Sequence, residues 1–258
     1  MSLISLFSIS FTCVSFTSRP GSNFVVVAYN DLGQSRQEWV RLPVASGRQI
    51  SVFDGSGAGV NVSLVPVPGQ TSIATAVFPL TVPAMGHATA FVVYSTQRAG
   101  LQAPRFQPPV GDTVVVENAA YMLTFDTASG LLQTIGDRRG STATRITQTW
   151  GWYNASDGNV PENQNRGQAS GAYIFRPNCT ENVPTACRPF NVASGPVSLS
   201  VIRTPHVQEV HQVFAPWLTQ VVRLYQTSDA IEVEYTVGPI PFQDGLGKEI
   251  VSVWSTGM

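Results

Sequence analysis

Apolar and polar positions alternate along most of this chain in short runs, each closed by turn residues, and no segment sustains a helical period. Over the first part, strands are expected at Asn23–Tyr29, Glu38–Val44, Gln49–Phe53, Val60–Pro66, Thr71–Leu80 and His87–Thr96. Asn30-Asp31-Leu32-Gly33 and the glycine-rich Asp54–Gly59 punctuate them as turns. Leu6, Ser8, Ser10 and Thr12 also alternate with Phe7, Ile9 and Phe11, so Met1–Phe16 reads as a further strand rather than a leader peptide. This spacing is that of a small β-sandwich over residues 1–96.

Residues 97–112 break the pattern. Pro104, Pro108 and Pro109 with two glycines make a semi-rigid connector. A second β pattern then runs over 113–258, with strands expected at Thr113–Glu117, Tyr121–Asp126, Leu131–Ile135 and Thr142–Tyr153. Gly130 stands where a hairpin calls for positive φ. Further strands are expected at Val197–Thr204, Val207–Pro216, Thr219–Gln226, Ala230–Val237 and Lys248–Trp254. The pattern is still running when the chain reaches Met258, as expected of a truncated sheet. The fold class is all-β.

One stretch stands out, Gln168–Asn178. Four small residues, Ala169 to Ala172, precede a predicted strand with Gly171, Tyr173 and Phe175 on one face, ended by Pro177. Either this is an ordinary strand with a close-packed glycine, or a slim backbone brings Tyr173 to a ligand.

Charge changes the picture only by exclusion. With 15 Lys+Arg against 16 Asp+Glu the net charge is −1, and no basic stripe supports a nucleic-acid partner. No apolar run approaches the roughly 20 residues that span a bilayer, so no membrane partner is expected. Cys179 and Cys187 flank a short loop, which either closes as a disulfide in an oxidising lumen or stays as two thiols; Cys13 is left over. Sequons at Asn61, Asn154 and Asn178 favour the secretory route.

The chain shows no complete catalytic centre. Asp126, Asp137, Glu209, Glu232, Glu234 and Asp244 are scattered, and Glu232 with Glu234 reads as the polar face of a half-buried strand. His206 and His211, five apart, would point to opposite faces of one strand, and His87 lies in the other region. No serine stands in a nucleophile elbow, and the glycines of Gly55–Gly59 precede no helix that would bind phosphate. Catalytic and metal-ligating residues are therefore read as absent.

Longer strings carry more information than single residues. Ser170-Gly-Ala-Tyr-Ile-Phe-Arg-Pro-Asn178, with Trp152-Tyr153-Asn154-Ala155-Ser156, Val207–Gln212, Gln220–Tyr225, Val237–Pro241 and Gly247–Ser252 in the same order, resembles the lysosomal-type α-mannosidases of glycoside hydrolase family 38. Upstream, Tyr29–Gly33, Val40–Val44 and Phe125–Leu132 fit as well. Two departures are local: Val253-Trp254-Ser255-Thr256 replaces an arginine-aromatic-aspartate string, and the Cys179–Cys187 loop is an insertion.

The resemblance implies an immunoglobulin-like sandwich followed by the first part of a galactose-mutarotase-like sandwich. It implies a zinc-dependent retaining α-mannosidase whose ligands, nucleophile and acid/base lie in an N-terminal catalytic domain outside this chain. The chain alone is expected to be inactive. The family tyrosine of the Ser-Gly-Ala-Tyr motif, which reaches the sugar, falls on Tyr173. The implied partner is a mannose-containing oligosaccharide, and the implied compartment a lysosomal, vacuolar or secretory lumen. The alternative is a non-catalytic carbohydrate-binding sandwich using Trp150, Trp152, Tyr153 and Tyr173.

Overall fold

The computed structural model describes residues 23–98, 104–156, 169–178 and 188–256. Among these, 17 strands and no helix are found, so the chain is all-β. The expected strand in Met1–Phe16 and the Cys179–Cys187 loop lie outside the described residues. Two compact units form. One holds the described residues up to Gln107 together with Ile202–Gln208, the other Pro108–Val201 and the residues from Glu209 onwards.

In the first unit one sheet runs β1 (Phe24–Asn30), β7 (Gly86–Arg98), β3 (Arg48–Asp54), β4 (Gly59–Val60). The other runs β2 (Arg36–Ala45), β6 (Ile73–Val82), β5 (Ser63–Pro66). Alternation explains the layering: Val26, Ala28, Val52 and Val92 from one sheet meet Val40, Phe78, Leu80 and Val82 from the other in one apolar cluster. The single strand expected at Val60–Pro66 is corrected. The chain changes sheets at Asn61–Val62, so Val60 pairs with Val52 while Ser63 pairs with Val77. Pro79 sits inside β6, where a missing N–H would break a central ladder. It is tolerated because β5 pairs only with Ala74 to Val77, leaving Pro79 a neighbour on one side, Trp39.

The second unit stacks a sheet β12 (Phe190–Asn191), β11 (Thr142–Asn154), β10 (Leu132–Asp137), β9 (Tyr121–Asp126), β8 (Thr113–Glu117) on a second sheet. That second sheet is β13 (Ser198–Arg203), β14 (Val207–Ala215), β15 (Leu218–Tyr225), β16 (Glu232–Val237). Val116, Leu123 and Phe125 face Val201, Val210 and Leu224 across the core. Thirteen-residue β11 is shared: Thr142–Arg145 pair with β10, and Ile146–Asn154 with β17 (Lys248–Thr256).

Gly130 has φ of 72°, as the hairpin required. A Cβ there would also lie 1.9 Å from the Val197 carbonyl oxygen, so the position is closed to side chains twice over.

Candidate functional site

The strand expected from Gly171 to Arg176 does not form. Ala169–Asn178 is a tight loop laid against the end of β11, and the reason is a competition that Ser170 wins. Its hydroxyl donates to the Arg176 carbonyl and accepts the Arg176 N–H, both at 2.8 Å, satisfying backbone groups that a ladder would otherwise claim. Backbone bonds then stitch the loop to β11: Ser156 N–H to Arg176 O at 2.7 Å, Ser170 N–H to Ser156 O at 3.0 Å, and Asn178 N–H to Asn154 O at 2.8 Å. Ala155 and Pro177 form a β-bridge. The guanidinium of Arg176 reaches back to the Ala169 carbonyl at 3.1 Å.

At the tip, Gly171 N–H bonds the Ile174 carbonyl at 2.9 Å, and this turn throws Tyr173 wholly into solvent, at 100 % exposure. Ile174 is 57 % exposed beside it. A Cβ added at Gly171 would meet nothing within 4 Å, so within this chain no close approach demands the glycine. Stapled loop and bare phenol make an outward-facing hydrogen-bonding and stacking group.

Strand β11, to whose end the loop is bonded, carries a buried polar network further along its length. Gln148 on β11, Gln212 on β14 and Gln220 on β15 are buried between the sheets. Gln220 Nε2 donates to both Gln148 and Gln212 at 2.9 Å, and its Oε1 accepts Trp150 Nε1 at 2.8 Å. Gln212 closes the chain on the Gly130 carbonyl at 2.6 Å. A satisfied buried network of this kind fixes one register of β11.

The scattered carboxylates have structural duties. Asp126 accepts the Ser129 hydroxyl and N–H, Asp137 the Arg139 and Gly140 N–H groups, and Asp244 the Lys248 ammonium and Leu246 N–H. These bonds hold all three carboxyls below the ordinary aspartate range, the opposite of what a general acid needs. Glu209 and Arg223 form a buried pair, with Nε to Oε1 at 2.7 Å, joined by His211, Glu232 and Glu234. Burial opposes the Arg223 charge, and Glu209 and Glu234 outweigh it, holding the guanidinium above its ordinary value. Glu232 and Glu234 form the polar face expected of a half-buried strand, and that face also partners a buried cation.

The two histidines do not share a strand, which corrects the expectation of opposite faces. His206 precedes β14 and belongs to the first unit, packed on Trp39 at 5.5 Å; His211 lies on β14 against Glu209. Among the described residues no three His, Cys, Asp or Glu side chains come together as a metal site. These described residues do not fit a zinc centre. The aromatic set is dispersed as well. Trp150 is buried against Tyr235 at 4.8 Å, Trp152 stacks on Phe190 at 5.7 Å, and Tyr173 alone of the four is fully exposed. Asn61 and Asn178 are exposed, whereas Asn154 is half-buried opposite Lys248 with its Oδ1 enclosed and without a hydrogen bond.

The family model described as the glycosyl hydrolases family 38 C-terminal domain matches residues 116–255. The chain belongs to glycoside hydrolase family 38. Lysosomal alpha-mannosidase of Mus musculus is 37 % identical over 248 residues, covering 93 % of this chain and 23 % of the mouse protein. The Homo sapiens protein of that name is 36 % identical over 253 residues, with the same two shares, and the alpha-mannosidase of Canavalia ensiformis 33 % identical over 273, covering 98 % and 26 %. The chain therefore spans about a quarter of the length of these family 38 relatives.

Sequence reasoning singled out Tyr173 but missed what holds it. A serine three residues before the tyrosine was the available signal, since hydroxyls at loop edges often capture backbone groups. The buried pair was also legible in principle. Arg223 interrupts the apolar run of Val222 and Leu224, a place where only a partnered charge survives.

Proposed function

We propose that this chain is the β-rich portion of a lysosomal-type α-mannosidase, and that it lends Tyr173 to one edge of the mannose site. The support is the family membership, the names its relatives carry, and the share of those relatives it spans. The observation that carries the site assignment is the stapled Ala169–Asn178 loop with its wholly exposed phenol. A phenol gives a sugar hydroxyl one donor and one acceptor, and its face suits a pyranose ring. Held by Ser170, it needs little ordering when substrate arrives.

In this reading residues 1–96 are an immunoglobulin-like sandwich, residues 97–112 the linker, and residues 113–258 the opening of a mutarotase-like sandwich. The parent enzyme cleaves terminal α-mannosides of N-glycan-type oligosaccharides with retention, its nucleophile, acid/base and zinc ligands lying in the catalytic domain. Zinc, when bound there, would polarise and position mannose hydroxyls. The compartment is a lysosomal or vacuolar lumen. There the exposed Asn61 and Asn178 are the sequons open to glycans.

The test is incubation of the purified chain with an aryl α-mannoside and zinc. No release of the aryl alcohol is expected, and metal-dependent release at enzyme-like rates would overturn the assignment of catalysis to a domain outside this sequence. In a longer product of the same gene that carries that domain, Tyr173→Phe is expected to lower kcat/KM by about tenfold, the loss of one good hydrogen bond. An unchanged kcat/KM would remove Tyr173 from the site.

A further inference from the structure

We infer that a cleft in the second unit is a binding site for a small organic cation, an ammonium group carried on an apolar body. The cleft has a volume of about 480 Å³, within the range of small-molecule sites. The β9–β10 hairpin contributes Asp126, Ser129 and Leu131 to its lining, and the 191–197 segment contributes Asn191 and Val197. Trp150 and Phe214 line it as well, and with Leu131 and Val197 they belong to one apolar cluster. An apolar body leaves water favourably there, and aromatic rings draw positive charge.

The one ionisable residue in the lining is Asp126; no lysine, arginine or histidine accompanies it. Among the described residues Asp126 makes no ion pair. Asp137 and Asp244 differ, each having a cation beside it, Arg139 at 3.6 Å and Lys248 at 2.6 Å. Ser129 bonds only Oδ2 of Asp126, through its N–H and its hydroxyl, whereas a carboxylate can accept at about four positions. Lone pairs therefore remain for a ligand ammonium, whose bond to a carboxylate is charge-assisted. The Ser129 bonds also hold the carboxyl below the ordinary aspartate range, so it stays charged. The surroundings are already in place. Val197 N–H donates to the Ser129 carbonyl and Val192 N–H to the Trp150 carbonyl, both at 2.9 Å, tying the 191–197 segment to the hairpin and to β11. A ligand has little chain to order on arrival. Because Asp126 is only half-buried, binding should be modest and sensitive to salt.

The experiment is titration calorimetry on the full chain with benzylamine, benzyl alcohol, ammonium chloride and methyl α-mannoside, at low and at high salt. Benzylamine, which carries both the charge and the apolar body, is expected to bind, more weakly at high salt, and the other three are not. Asp126→Asn keeps an acceptor for Ser129 but removes the charge, and should weaken the affinity about tenfold, the loss of one charge-assisted contact. Ala128→Trp places bulk at an exposed position of the lining and should weaken it at least as much without touching the carboxylate. Asp244→Asn, outside the cleft and paired with Lys248, should leave it unchanged. Thermal melts confirm that each variant is folded, and Ala128→Trp decides alone if Asp126→Asn is not. The proposal is overturned if benzylamine does not bind, if benzyl alcohol or the mannoside binds as tightly, if Ala128→Trp leaves the affinity unchanged, or if Asp244→Asn matches the cleft variants.

Discussion

Arg223 points its Nε at Glu209 Oε1 across 2.7 Å, and both side chains are almost wholly enclosed, at 5 % and 1 % exposure. Taking either partner away leaves the other charge to its weaker or more exposed neighbours, His211 for Glu209 and Glu232 with Glu234 for Arg223, in a place water barely reaches. Glu209→Ala and Arg223→Ala are each expected to destabilise the second unit by about 3–5 kcal/mol, read from urea unfolding. The double variant should cost less than the two singles added together. A single-variant loss under about 1 kcal/mol would show that the pair is not desolvated.

Gly130 should not tolerate alanine. Its φ of 72° is unfavourable for a side chain, and the new methyl would run into the Val197 carbonyl, whose own N–H is bonded to Ser129 at 2.9 Å. The hairpin cannot yield without losing that bond and the Gln212 contact to the Gly130 carbonyl. A loss of about 2 kcal/mol or more is expected in thermal unfolding, exceeding the roughly 1 kcal/mol of a merely positive φ.

Acid should weaken the first unit through His206. Desolvation lowers its pKa from the ordinary 6.5, only partly offset by the Val77 carbonyl, which favours the protonated ring. The unfolded chain therefore takes up a proton first. The contribution to stability is full above pH 6.5 and is lost as the pH falls from there through the lowered folded value. Melting curves between pH 7.5 and roughly 4.5, set against His206→Gln, should show a shallower pH dependence in the variant. Identical slopes would remove His206 as the cause.

Tyr173 and Ser170 should separate cleanly. Tyr173 is fully exposed and supports nothing in this chain, so Tyr173→Ala should leave the unfolding midpoint within about 0.5 kcal/mol of the parent. Ser170→Ala removes both bonds to Arg176 and should speed amide exchange at Arg176 by tenfold or more, with little change in global stability. Unaltered exchange would mean that the backbone bonds to β11 hold the loop by themselves.

The sequence showed most of the ladder, because alternation is a local property that sheet burial enforces. Thr113–Glu117 and Tyr121–Asp126 were read to the residue. It failed where a side chain outbid the ladder, as at Ser170, or where two sheets shared one run, as at Asn61–Val62. It could not show the Gln148–Gln212–Gln220 chain, since three amides far apart in sequence announce no meeting. Phe190–Asn191 was missed because two residues carry no period. The proposed site residue, Tyr173, was singled out through a resemblance in a string of residues, and the loop geometry that exposes it had to come from the fold.

Strand β11 has a further consequence, for how the chain is made. Its longest ladder, Ile146–Asn154, is completed only by β17, the last described strand. Until Lys248–Thr256 has emerged, a run containing Trp150 and Trp152 offers an open hydrogen-bonding edge to any neighbouring chain. Closing so distant a pairing is slow. During synthesis this protein should therefore lean on chaperones, and substitutions that weaken β17 should surface first as aggregation in the cell rather than as a lowered melting point.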